Sequence, residues 1–169
     1  SSHPDVDLVS FTGGLVTGKH IMANAAETIK KVALELGGKN PNVIFADADF
    51  DAAVDNALNA AFVHSGQVCS AGARLVVEES IRERFVDALV ARAKDIRLGG
   101  PYDENAETGP LISEAHRDKV DAYVQRAVAE GGVSRCGGRA ATADDGDALE
   151  AGWYYLPTVI DGVARGSSA

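Results

Sequence analysis

The hydrophobic period of this chain switches repeatedly between two and about 3.6 residues, usually at a glycine or proline, and this alternation restricts the fold most. Residues 6–11 alternate as a short strand, which Thr12-Gly13-Gly14 is expected to break. From Gly18 onward, Ile21, Met22, Ala25, Ala26 and Ile29 recur at helical spacing. Residues 32–36 predict a second strand, Gly37-Gly38 a turn, and Pro41 excludes helix there. Residues 42–46 are apolar and partly β-branched, as in a buried strand. Asp47 and Asp49 are candidate N-caps for a helix over residues 52–61 that runs towards His64. Gly66 and Gly72 bracket a loop, and residues 74–77 predict a strand.

The second half continues the pattern. Ser80-Ile81-Arg82-Glu83 matches a capping box, ahead of an apolar face of Ile81, Phe85, Leu89, Ala93 and Ile96. Gly99-Gly100-Pro101 closes that helix. Ser113 is expected to cap another helix, striped by Val120, Tyr123, Val124, Ala127 and Val128 and stopped at Gly131-Gly132. Residues 133–136 predict a short strand, and residues 153–163 a final strand interrupted at Pro157. Between them the acidic residues 137–152 read as a mobile surface loop with no function. Strands alternating with helices imply an α/β chain with a largely parallel sheet. There is no internal repeat.

The 169 residues suffice for one ordinary domain with a real core. A net charge of −9 argues against a nucleic-acid partner, because phosphates need clustered Lys and Arg. No apolar run approaches membrane-spanning length, so no membrane partner is expected. Only Cys69 and Cys136 carry thiols, which fits a cytoplasmic location better than a disulfide framework. The polar start at Ser1-Ser2-His3-Pro4 and the tail Arg165-Gly166-Ser167-Ser168-Ala169 read as the cut ends of a piece of a longer protein.

Three motifs bear on chemistry. Phe11-Thr12-Gly13-Gly14-Leu15-Val16-Thr17-Gly18 is a strand, a glycine turn and a helix start, which together aim backbone N–H groups at one point. That suits a pyrophosphate, although Gly-x-Gly-x-x-Gly is not present and a plain turn explains it as well. Glu35 falls near the spacing of about twenty residues at which a ribose-binding acid is expected. It also reads as a general base projecting from a strand end, or as a salt-bridged strand-end carboxylate. Cys69 lies in Ser65-Gly66-Gln67-Val68-Cys69-Ser70-Ala71-Gly72, where small polar neighbours leave no apolar space for a packing thiol. A reactive nucleophile and a structural cysteine both remain open. Cys136 is read as structural. His64 is a candidate partner for Cys69 in a Cys–His hydrolase, though its place across a helix end is poor geometry. No spacing of His, Cys and carboxylates suggests a metal.

In this order the motifs resemble the NAD(P)-dependent aldehyde dehydrogenase superfamily. The stretches that carry the resemblance are Phe11-Thr12-Gly13 with Gly18, Leu34-Glu35-Leu36-Gly37-Gly38-Lys39-Asn40-Pro41, Gly66-Gln67-Val68-Cys69, Gly109-Pro110-Leu111-Ile112 and Pro157-Thr158-Val159. Within it, Lys39-Asn40-Pro41-Asn42 and residues 66–75 look most like betaine aldehyde dehydrogenases.

The resemblance implies a fragment of that fold. Residues 1–38 correspond to the tail of a Rossmann-like cofactor domain, and residues 39–169 to the first part of the catalytic domain. It implies Cys69 as nucleophile and Glu35 as the base that activates water for release of the acid. It places Gly13, Gly14, Gly18, Glu35, Leu36 and Gly37 at the cofactor, NAD or alternatively NADP. The implied substrate is a small aldehyde, betaine aldehyde or a related amino-aldehyde. The implied full-length assembly is a homodimer or homotetramer, and the isolated fragment is expected to be inactive. The rivals are a thiol hydrolase and a non-catalytic remnant that associates with other chains.

Overall fold

The computed structural model describes residues 1–167, so Ser168 and Ala169 of the polar tail lie outside the described residues. The chain opens as a β–α–β unit of strand β1 (Leu8–Gly13), helix α1 (Leu15–Ala26) and strand β2 (Lys31–Leu36). The strands are parallel, with Phe11 opposite Leu34, Thr12 opposite Glu35 and Gly13 opposite Leu36. Along β2 the half-buried Val32, Leu34 and Leu36 alternate with the exposed Lys31, Ala33 and Glu35. Leu34 and Leu36 support α1 at Gly18, where an added Cβ would lie 3.1 Å from Leu36 Cδ2. Gly18 therefore lets the helix settle close onto the strands.

The sequence expectation of a break at Thr12 is wrong. β1 starts at Leu8 and runs through Thr12 to Gly13, because pairing with Glu35 and Leu36 holds the extended backbone. The helix begins at Leu15, three residues before the glycine expected to open it.

A second parallel β–α–β unit follows, of β3 (Pro41–Ile44), α2 (Phe50–Phe62) and β4 (Arg74–Val77). Pro41 is tolerated as the first residue of its strand. β3 ends two residues earlier than expected, where Ala48 N–H turns back to the Phe45 carbonyl at 3.2 Å. Asp49 caps α2 by accepting from Ala52 N–H at 3.2 Å.

Helix α3 (Arg82–Lys94) packs on α2. Ile44, Val54, Ala57, Phe85 and Leu89 form the main core, with Phe50 edge-on to Phe85 at 5.9 Å. The capping box expected at Ser80 does not form. The Ser80 hydroxyl donates to Glu78 at 2.8 Å instead, and Glu79–Ile81 coil into a 3-10 turn. Ala46 N–H also donates to Glu78, and these two bonds hold its carboxyl below the usual carboxylate range.

Ser113 does cap α4 (Glu114–Ala129), accepting from His116 N–H at 3.2 Å. Strands β5 (Val133–Cys136) and β6 (Val159–Asp161) then pair antiparallel. Among the described residues the strands thus form three separate two-stranded sheets, two parallel and one antiparallel, and not the single largely parallel sheet expected, because each β–α–β unit pairs only within itself. The last strand is much shorter than expected; upstream of it Tyr155 makes only an isolated bridge to Ala140. The segment read as a mobile loop is organised instead. It holds a 3-10 turn over Ala143–Asp145 and the short α5 (Asp147–Glu150), pinned by Arg139 on Asp145 at 2.7 and 2.9 Å. Arg82 and Arg135 converge on Asp161 at 2.8 and 3.2 Å and tie α3 to the β5–β6 pair. Among the described residues no helix is long and apolar enough to cross a membrane.

Candidate active site

The Cys69 loop is shaped first by backbone conformation. After α2 ends at Phe62, His64, Ser65 and Gly66 adopt φ of 51°, 58° and 73°, a left-handed turn that two L-residues enter at a steric cost. Hydrogen bonds to the distant 108–112 segment hold it there. Ser65 N–H donates to Thr108 Oγ1 at 2.9 Å and its hydroxyl to the Gly109 carbonyl at 2.6 Å. Gln67 Oε1 accepts from Ile112 N–H at 2.9 Å, while its Nε2 donates to the His64 carbonyl at 3.2 Å.

Cys69 then occupies a turn closed by Ala71 N–H on the Val68 carbonyl at 3.1 Å. Its own carbonyl accepts from Asn40 Nδ2 at 2.7 Å, and the Ala71 carbonyl lies 3.4 Å from the same nitrogen. The thiol is free and exposed. Among the described residues, Cys69 N–H donates to no protein acceptor. A soft nucleophile therefore sits at the surface beside an uncommitted backbone donor, the pairing that acyl chemistry needs. Cys136 differs on every count. It is buried, its Sγ approaches the Pro157 carbonyl at 3.6 Å, and burial pushes its thiol pKa up.

Glu35 projects from the exposed face of β2, opposite in direction to the Leu34 and Leu36 side chains that meet α1. Its carboxylate has no hydrogen-bond or ion-pair partner among the described residues. The chain leaves Glu35 through Leu36-Gly37-Gly38-Lys39 and arrives at Asn40, so the segment that carries the carboxylate also grips the thiol loop. Lys39 reaches the ring of Tyr123 on α4, with Nζ 5.2 Å from its centroid, which anchors the same turn.

The glycine loop leaves the start of α1 open. Gly14 is the N-cap of α1 and supplies no side-chain bond, and the first turn carries no acidic residue. A Cβ on Gly14 or Gly37 would meet nothing within 4 Å, so backbone is open to close approach at both points. The N–H groups and dipole of α1 are thus available to a pyrophosphate. Gly18 and Leu36 are placed differently. Gly18 is buried against Leu36, whose side chain is spent on that packing, so Leu36 offers backbone only.

An open cleft of about 890 Å³ joins the glycine loop to the braced segment; its walls include Gly13, His64, Gln67, Ile112, His116 and Trp153. Cys69 and Glu35 do not line it. His64 makes no hydrogen bond to Cys69 among the described residues, so the Cys–His pair is not assembled. Phe62 turns away from the loop to pack on the cluster of Val86, Val90, Ala93 and Cys136. No group of three or more His, Cys, Asp or Glu able to hold a metal occurs among the described residues. Sequence reasoning missed Asn40, Ser65, Gln67 and Thr108 as the residues that shape the loop. Closeness to a candidate nucleophile in sequence could have pointed to Ser65 and Gln67 but not to Asn40 or Thr108.

A family model described as the aldehyde dehydrogenase family matches residues 1–169. The chain belongs to this family. Betaine aldehyde dehydrogenase of Bacillus subtilis (strain 168) is 53% identical over 156 residues, 92% of this chain and 31% of that protein. A structure of betaine aldehyde dehydrogenase from Staphylococcus aureus in complex with NAD+ matches with a TM-score of 0.89 at 53% identity, covering 94% of this chain and 31% of the other. A double mutant of that enzyme, holding NAD+ and a cysteine modified by BME, matches with a TM-score of 0.89 at 53% identity, covering 94% of this chain and 32% of the other. This member of the family thus spans about a third of the length of the relatives it matches. The fold class read from the motifs is the one these structures have.

Proposed function

We propose that this chain carries the nucleophile and base of an enzyme that oxidises an aldehyde to a carboxylic acid with NAD. The observation that carries the reading is the exposed, unpaired Cys69 thiol next to its own free N–H, in a chain matched throughout by the aldehyde dehydrogenase family. The Cys69 thiolate adds to the aldehyde carbon, and the Cys69 N–H stabilises the oxygen as it gains charge. NAD, when bound, accepts the hydride and leaves the acyl group as a thioester on Cys69. Glu35 then takes a proton from water, which attacks the thioester, releases the acid and regenerates the thiolate. Gly13 and Gly14, with the α1 N-terminus, hold the pyrophosphate; Gly18 keeps α1 close to the strands. The backbone of Leu36 and Gly37 would face the nicotinamide when the cofactor is bound. NADP is the alternative cofactor.

Residues 1–38 are assigned to the tail of the cofactor domain and residues 39–169 to the first part of the thiol domain. The names of the relatives favour betaine aldehyde or a related amino-aldehyde as substrate. A quaternary ammonium needs aromatic faces around it. Phe62 packs into the core and Val63 has no ring, so neither supplies such a face, whereas Trp153 lines the cleft. The complete protein is assigned to the cytoplasm as a homodimer or homotetramer.

The test uses the protein expressed from its full reading frame. C69S is expected to abolish NADH formation from aldehyde. E35Q is expected to give one burst of NADH per site and then stall, because acylation survives and hydrolysis does not. Undiminished steady turnover in C69S overturns the nucleophile assignment, and undiminished turnover in E35Q overturns the base. The 169-residue chain alone is expected to give no steady NADH production.

A further inference from the structure

We propose that Asn40 is a positioning residue, holding the Cys69 loop in the conformation that leaves its backbone N–H free and fixing it relative to Glu35. The proposal rests on Cys69 being the nucleophile. Asn40 Nδ2 carries two N–H donors, and the two carbonyls it approaches are those of Cys69 at 2.7 Å and Ala71 at 3.4 Å. Binding the Cys69 carbonyl restrains rotation about the bond that orients the Cys69–Ser70 peptide. The turn bond from Ala71 N–H to the Val68 carbonyl restrains the other side. The thiol-bearing residue is therefore held by its backbone, while its N–H and Sγ stay uncommitted.

The contact spans 29 positions of sequence and joins two parts of the chemistry. Asn40 follows the strand that bears Glu35 and immediately precedes β3, where Pro41 pairs with Arg74 just past the thiol loop. Strand pairing sets the height of the loop, and Asn40 sets its tilt. Gly38 gives the carboxamide room, since a Cβ at Gly38 would lie 3.3 Å from Asn40 Oδ1. An amide suits the place because it donates without charge. Aspartate would turn an acceptor towards two carbonyls and put a negative charge beside the thiolate.

The test compares wild type, N40A, N40S and N40D in the protein expressed from its full reading frame. Two readouts are taken: steady-state kinetics with aldehyde and NAD, and the rate of Cys69 alkylation by iodoacetamide against pH, followed by mass spectrometry with Cys136 as internal reference. N40A is expected to lower kcat by about 10-fold to 100-fold, with aldehyde KM changed by less than about threefold. It is also expected to change the rate or pH midpoint of Cys69 alkylation while the melting temperature and the Cys136 rate stay near wild type. N40D is expected to move that midpoint to higher pH. Should N40A fail to fold, N40S and N40D carry the same comparison. A folded variant with wild-type kcat and a wild-type alkylation profile overturns the proposal. Full activity in C69S overturns the underlying nucleophile reading instead, so the two failures are told apart.

Discussion

Gln67 and Ile112 are joined across 45 positions of chain by a 2.9 Å bond from Ile112 N–H to Gln67 Oε1. The same amide nitrogen that reaches the His64 carbonyl also lies 3.5 Å from that of Pro110. One carboxamide thereby fastens the segment before Cys69 to the loop before α4. Removing it in Q67A costs the Ile112 amide its acceptor, worth about 1 kcal/mol. Hydrogen exchange at Ile112 is then expected to accelerate about fivefold. Q67E keeps an acceptor and is expected to leave that amide protected. Equal exchange in wild type and Q67A would show that the bond does not hold the loop.

Ser65 allows strain and hydrogen bonding to be separated. Its φ of 58° is unfavourable for any residue with a Cβ, while its hydroxyl meets Thr108 and Gly109. S65A loses the hydroxyl bonds and keeps the strain; S65G loses the bonds and relieves it. S65G is therefore expected to be more stable than S65A by about 0.5–1 kcal/mol in urea unfolding. The reverse order would mean that the left-handed turn is not strained.

Local patterns were legible wherever the deciding interaction is local. The two-residue alternation of β2 places Glu35 on the exposed face, and Asp49 and Ser113 cap the helices that follow them. The capping box at Ser80 misled because Glu78 competes for the same hydroxyl and wins. The acidic stretch near Asp145 looked unstructured because its partner, Arg139, neutralises it only once the turn has formed. Asn40 and Thr108 were invisible as site residues. Their partners lie tens of residues away, and periodicity carries no information on contacts set by packing.

The two thiols should separate cleanly in a labelling experiment. Cys69 is exposed, whereas Cys136 is 9% exposed and its ionisation is opposed first by burial. Modifying Cys136 requires local opening, and an opening free energy of about 3 kcal/mol corresponds to roughly a hundredfold slower reaction. Iodoacetamide at pH 8 is expected to label the Cys69 peptide at least about a hundredfold faster. Comparable rates would mean that β5 and its surroundings open readily.

Acid should loosen the segment around Asp145. Arg139 first, and then Thr142 N–H, hold the Asp145 carboxyl well below the usual carboxylate range. The folded form is thus the weaker proton binder, so the contribution of Asp145 is complete above the unfolded value of about 4 and is lost as pH falls towards the folded one. Pepsin cleavage within residues 139–150 is expected to rise steeply between about pH 4 and pH 2 in wild type. D145N removes the titrating group and weakens the hold of Arg139 at every pH. Its cleavage is expected to be high at pH 4 and to change little below. A wild-type segment cut equally at pH 4 and pH 2, or a D145N segment as resistant as wild type at pH 4, would show that this ion pair does not order the turn.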